Sequence, residues 1–213
     1  MIYYNPTDND VLTNWIKYNP RSAFIMTQLG GEISEEVRNI LELLEEVLKE
    51  NRIQVLNANS QVTGRDFHTK IWKLALSVPF GIAVVSETMQ QTTIANIYYE
   101  VGLMNALGKE TLVVKTKGFR IPSDFVRTEY INYGDRFTKK FQNFLSQSFA
   151  QAEYYGIMAD NLEAKPLLSI DYLRRAYLIT EEEHYRKRAL DLLEQHKFDE
   201  HNLLMIKSYF NLT

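Results

Sequence analysis

The chain has 213 residues, 45% of them hydrophobic and 24% charged, which suits one sizeable globular domain or one domain with an appendage. A formal net charge of -3 gives no electrostatic reason to expect nucleic acid as the main partner. The lack of cysteine excludes a disulfide scaffold and thiolate metal centres. Met1-Ile-Tyr-Tyr-Asn-Pro6 lacks the basic and apolar regions of a signal peptide, and no apolar run approaches the roughly 20 residues that span a bilayer. A cytoplasmic protein without a membrane segment is expected.

Ser22-Ala-Phe-Ile-Met-Thr27 reads as a buried strand that ends at the Gly30-Gly31 turn. Ser34 is placed to cap the next helix, with Glu35 and Glu36 in its first turn and Val37, Ile40, Leu41, Leu44, Val47 and Leu48 at helical spacing. Ile53 to Leu56 is a second strand, 57–64 a polar loop, and Phe67, Ile71, Leu74 and Ala75 mark a second helix ended by Pro79. Phe80 to Val85 is a third strand. Glu87 to Thr93 reads as a polar loop leading into a helix that holds Glu100. Thr111 to Val114 and the shorter Thr128 to Tyr133 complete five strands. Strands alternating with helices at this spacing predict an α/β, flavodoxin-like, doubly wound parallel sheet. Composition changes near residue 135, so the expected division is an α/β domain over 1–135 and a C-terminal helical appendage over 136–213. Helices are predicted near 168–179, 181–196 and 199–212. The appendage reads as a cap, a regulatory element or an oligomerisation element, binding further copies or a partner protein.

Asn96 and Glu100 are four residues apart, hence on one helix face. Ile97, Val101 and Met104 form a stripe able to face the sheet. A helix that follows a strand starts at the sheet's carboxyl edge, where α/β proteins bind ligands. A carboxylate there can act as nucleophile or general base, whereas an exposed helical glutamate is the plainer reading. Thr27-Gln28-Leu29-Gly30-Gly31 lies where backbone amides and a helix N-terminus hold phosphate or ribose, but it is neither GxGxxG nor a P-loop; a plain tight turn competes. Ser86 and Thr88 are candidates for sugar hydroxyls, or ordinary loop polarity. His68, His184, His196 and His201 show no metal spacing, so no metal site and no required cofactor are expected.

Asn96-Ile-Tyr-Tyr-Glu100-Val-Gly102-Leu-Met-Asn-Ala106-Leu-Gly108-Lys109, followed by an apolar strand and Ile121-Pro122-Ser-Asp124-Phe125, resembles the nucleoside 2-deoxyribosyltransferase-like superfamily, relatives of TIR-type domains. The resemblance covers residues 22–133 and is specific over about 40 of them. It implies N-glycosidic bond cleavage in a nucleoside or nucleotide, with Glu100 attacking the anomeric carbon. NAD, which TIR-type relatives cleave, and deoxynucleosides are the implied substrates. Asn96 and Tyr99 would shape the pocket; Thr27, Gln28, Ser86 and Thr88 would contact ribose or phosphate. The family's aspartate after the third strand is replaced here by Ser86-Glu87-Thr88. Asp66 is a candidate companion acid or a helix N-cap. TIR-like enzymes are often activated by assembly in bacterial antiviral defence, which extends the expectation to an oligomer. A non-catalytic nucleotide sensor and a scaffold domain are the alternative readings.

Overall fold

The computed structural model describes residues 16–57, 67–123, 129–198 and 200–210. The chain falls into two compact units, one of residues 22–145, the other of residues up to 21 together with 146–213.

In the first unit, five strands form one parallel sheet: β1 Ser22–Met26, β2 Gln54–Asn57, β3 Phe80–Val85, β4 Glu110–Lys115 and β5 Tyr130–Asn132, in the order β2-β1-β3-β4-β5. This is the doubly wound, flavodoxin-like order, and the chain reverses its winding between β1 and β3. Every residue of β1 and β3 is buried, which explains their unbroken apolar runs: a strand covered on both faces has no polar side to show.

Three helices cover the sheet: α1 Glu35–Glu50, α2 Phe67–Ser77 and α3 Gln91–Ala106. α1 starts as the sequence predicts. The Ser34 side chain accepts from the Val37 amide, and Val37, Ile40, Leu44, Val47 and Leu48 are buried. Right-handed crossovers in opposite directions place α1 on one face and α2 with α3 on the other, where α2 packs against α3.

α3 differs from the sequence reading. It starts at Gln91, with Gln90 at the cap position, so the last three residues of the expected 87–93 loop are helix. The start is hard to read because Gln90, Gln91, Thr92 and Thr93 form a polar first turn, and the cap has no side-chain hydrogen bond.

α3 lies close on β3 because Gly81 has no side chain. A Cβ there would stand 2.8 Å from Met104 Cε and 3.1 Å from Met26 Cε. Both methionines are buried, so Gly81→Val is expected to lower the unfolding free energy by about 2–3 kcal/mol through overpacking. Denaturant titration reads this; a loss below about 0.5 kcal/mol would show that the two thioethers move aside freely.

The second unit contains the end of α4 Phe137–Asn161, then α5 Pro166–Thr180, α6 Glu183–Gln195 and α7 Glu200–Tyr209. Glu181, in the left-handed conformation at φ 61, ends α5, and Glu182 occupies the N-cap position of α6 without a side-chain capping bond. Glu181 and Glu182 thus separate two helices. Arg174 is buried here: it bonds Asp171 at 2.7 Å and lies over the rings of Tyr209 and Tyr18 at 4.7 and 5.6 Å. Asp171 also accepts from Arg175 at 3.1 Å. Burial opposes the Asp171 charge, but the two arginines outweigh it and hold the carboxyl below its ordinary range.

Described residues of this unit line cavities that include the following two. One of about 170 Å³ includes Asp160 and Arg188, which pair with each other. One of about 480 Å³ includes Arg21, which donates to the Thr180 carbonyl, and Glu182, which meets His184. No helix among the described residues is long and apolar enough to cross a membrane. No group of three or more acidic or histidine side chains among them could hold a metal ion.

Candidate active site

The register of the sheet sets the geometry. Met26, the last residue of β1, pairs with Ala83, and β3 runs two residues further to Val85. Thr27 and Ser86 therefore leave neighbouring strands at the carboxyl edge, on the two sides of the point where the winding reverses.

Glu100 is not in the first turn of α3. It is nine residues beyond Gln91, in the third turn, about 13 Å along the helix from its start. Met104 marks its height, because that side chain rests over Gly81. One turn earlier, about 6 Å nearer the carboxyl edge, brings Glu100 level with Ala83 and the end of β1.

Its direction follows from its neighbours. Ile97, Val101 and Met104, all buried, occupy the arc of α3 that faces the sheet. Tyr99 marks the arc facing α2, since Trp72 Nε1 of α2 donates to its hydroxyl at 3.3 Å; Leu103, one turn on, is buried. Glu100 falls between these arcs, at the junction of α2, α3 and the sheet.

The Glu100 side chain is half-buried and makes no hydrogen bond or ion pair with another described residue. With no cation among the described residues beside it to favour the charge, burial pushes its carboxyl from 4.5 up to about 7. The neighbouring Tyr98 is buried as well, and its phenol is pushed up to about 12 by the same cause. A carboxyl near neutrality can hold or release a proton under working conditions, the usual property of a general acid or base.

The remaining sequence candidates divide by position. Thr27 Oγ1 is buried with no hydrogen-bond partner among the described residues. Gln28 is taken up by its own turn, donating from Nε2 to the Gly30 carbonyl at 2.7 Å; Leu29 and Gly30 are exposed. Ser86 and Thr88 bond each other through their hydroxyls at 3.0 Å, and Ser86 Oγ also accepts from the Thr88 amide at 3.3 Å, so both brace the loop. Asn96 is exposed one turn before Glu100, and Tyr99 is 48% exposed. Asp66 and Asp124 lie outside the described residues.

Glu87 is a charged group that sequence reasoning did not place. Its carboxylate accepts from the Thr116 hydroxyl at the end of β4 and lies against Gly118, where a Cβ would stand 2.7 Å from Oε1. The Thr116 bond, with help from its own amide, Ser86 and Lys115, holds Glu87 below the ordinary carboxylate range. Glu87 thus ties the loop after β3 to the loop after β4. Gly118→Ala is expected to break that tie and raise the Glu87 pKa towards 4.5; an NMR titration in which it stays low would discount the Gly118 contact. The sequence signal for this pairing is weak: Glu87 and Thr116 lie within two residues of the ends of adjacent parallel strands, one step out of register.

No protein-family model matches the sequence, and no curated protein matches it. Several solved structures are similar, among them the following two. One is a 2-deoxyribosyltransferase from Bacillus psychrosaccharolyticus, at 14% identity and a TM-score of 0.44, over 57% of this chain and 90% of that one. The other is a CMP N-glycosidase from Clostridium botulinum, at 18% identity and a TM-score of 0.42, over 58% and 98%. Neither likeness assigns a role to a residue of this chain.

Proposed function

We propose that the α/β unit cleaves the N-glycosidic bond of a nucleoside or nucleotide, with Glu100 as the nucleophile. The observation that carries this reading is the half-buried Glu100 carboxyl at the α2–α3–sheet junction, with no cation among the described residues beside it and a pKa raised to about 7. The sequence block around Glu100 adds the family resemblance. In the reaction, a Glu100 oxygen bonds to the anomeric carbon as the C–N bond breaks, and the bonding pair leaves with the base. Water then cleaves the glycosyl ester, or a second base takes the sugar. The attacking group is the ionised carboxylate, and developing positive charge on the sugar favours that form. Thr27 Oγ1 is the best-placed hydroxyl for a sugar contact, because it is buried and unengaged by the described residues. Ser86 and Thr88 serve by shaping the loop, and Gln28, Leu29 and Gly30 by shaping the turn beside it. Asn96 and Tyr99 border the pocket on α3, with Asp66 a candidate companion acid.

A mass-spectrometric screen tests the proposal: NAD and a mixture of nucleosides and nucleotides are incubated with the protein, and free base is measured with and without a second base. Base release by the wild type that is absent from Glu100→Gln is the expected result. Equal release by both proteins would remove Glu100 from the mechanism. If NAD is the substrate, a role in defence of the TIR kind becomes the pathway to test.

One observation favours a second reading, a nucleotide sensor without turnover. The acid that follows β3, Glu87, is engaged with Thr116 on the β4 side, so it is not a free companion acid for Glu100. Tight binding of an intact nucleotide with no product in the same screen would favour it.

A further inference from the structure

The turn that ends α3 aims one side chain at α2. Gly108, in the left-handed region at φ 65, closes α3: its amide bonds the Asn105 carbonyl at 3.0 Å, and the Lys109 amide bonds the Met104 carbonyl at 3.0 Å. This paired closure is the Schellman form, which glycine favours. It fixes where Lys109 leaves the helix, and the Glu110 amide, bonding the Pro79 carbonyl at 3.1 Å, fixes where β4 begins. Lys109 Nζ then crosses to α2 and donates to the Leu76 carbonyl at 2.9 Å. Leu76 is fully buried in the last turn of α2, where carbonyls have no partner within the helix. A cation suits that negative helix end. One turn back along α2, Trp72 Nε1 donates to the hydroxyl of Tyr99, the residue before Glu100.

We propose that Lys109 is a positioning residue for Glu100: with Trp72 it ties α2 to α3 and so keeps closed the junction that buries the carboxyl. The Trp72–Tyr99 bond holds the two helices together at the height of Glu100, and Lys109 holds them at the amino edge of the sheet. Releasing either tie lets the helices part and admits water to the carboxyl. The effect of Lys109 on turnover rests on Glu100 being the nucleophile, as proposed above; its effect on the surroundings of the carboxyl does not.

Burial raises the Glu100 carboxyl, so its titration reports how far water reaches it. An NMR titration of glutamate-labelled protein, with Glu100 assigned by the signal lost in Glu100→Gln, reads this without substrate. Wild type is expected to titrate Glu100 near 7. Lys109→Met keeps the side-chain length but donates nothing, and should bring the midpoint down by about one unit; Lys109→Arg, which still donates, should restore it. On a substrate identified by base release, kcat should fall roughly tenfold in Lys109→Met and not in Lys109→Arg. The pH profile of kcat/KM should move down with the titration. A folded Lys109→Met that titrates Glu100 as wild type does would overturn the proposal, as would Lys109→Arg behaving like Lys109→Met. A wild-type Glu100 that titrates near 4.5 would overturn it too, since no closed junction would be there to keep. Should circular dichroism show Lys109→Met unfolded, Trp72→Phe removes the donor of the other tie and keeps a ring. A lowered Glu100 midpoint in that variant supports the ties, and an unchanged one overturns them. A midpoint that moves as expected while Glu100→Gln still releases base would keep the positioning role and discard the nucleophile.

Discussion

Glu100→Gln is expected to move activity and stability in opposite directions. Base release should fall by roughly a hundredfold to ten-thousandfold, because the neutral amide cannot attack or stabilise the sugar cation. Stability should rise above neutral pH. The Glu100 carboxyl titrates at about 7 in the folded protein against 4.5 when unfolded. The folded state therefore holds the proton more tightly, and the stability this confers is fully present below 4.5 and lost as pH rises through about 7. At pH 8 the ionised group costs the wild type at most about 3 kcal/mol, a ceiling lowered by solvent reaching the half-buried side chain. The isosteric amide avoids that cost. Tm measured from pH 4 to pH 8 should thus show wild type and variant close in acid and separated by several degrees at the alkaline end. A separation that does not change with pH would mean that Glu100 is well solvated. The same titration predicts that kcat/KM of the wild type rises with pH through about 7, as the attacking carboxylate forms. An inactive variant that is also more stable cannot owe its inactivity to misfolding.

Asp171→Ala should be the most damaging of the single changes considered in the helical unit. It leaves the guanidinium of Arg174, a residue only 4% exposed, without its carboxylate, and removes the acidic partner of Arg175 too. Breaking a buried pair from one side costs about 3–5 kcal/mol, because the stranded charge keeps its desolvation penalty. Urea unfolding at neutral pH measures it. Asp171 titrates below 3.8 in the fold, so its contribution is present above that value and is lost as pH falls through the folded pKa. Wild type and variant should therefore converge in strong acid. Replacing both partners with apolar residues, Asp171→Leu with Arg174→Met, should restore most of the loss. A cost under about 1 kcal/mol for Asp171→Ala would show that Tyr18 and the ring faces satisfy Arg174 unaided.

The sheet was legible in the sequence because its central strands are apolar on both faces, as in Ile82-Ala-Val-Val85 and Thr111-Leu-Val-Val114. β5 was readable only in outline. Within the predicted 128–133 run the strand spans Tyr130–Asn132, at the edge of the sheet. α3 was the harder helix, since it is covered by the sheet on one side and by α2 on another. Ile97, Tyr98, Val101, Leu103 and Met104 are buried around much of its circumference, which blurs the helical stripe. The residues of the candidate site were nameable, but their states were not. The raised Glu100 pKa depends on how three elements meet around it, and the engagement of Glu87 depends on a partner 29 residues away. Neither appears in local spacing.

Glu100 is held by the flank of a 16-residue helix, whereas the hydroxyls and turns proposed to touch substrate belong to the loops after β1 and β3. A reacting group fixed by a helix keeps its place when loops lengthen, shorten or change composition. Substrate preference in such a chain can therefore drift by loop replacement while the chemistry is inherited unchanged. Grafting loops 27–33 or 86–90 from a chain of different preference is the corresponding route to altering it.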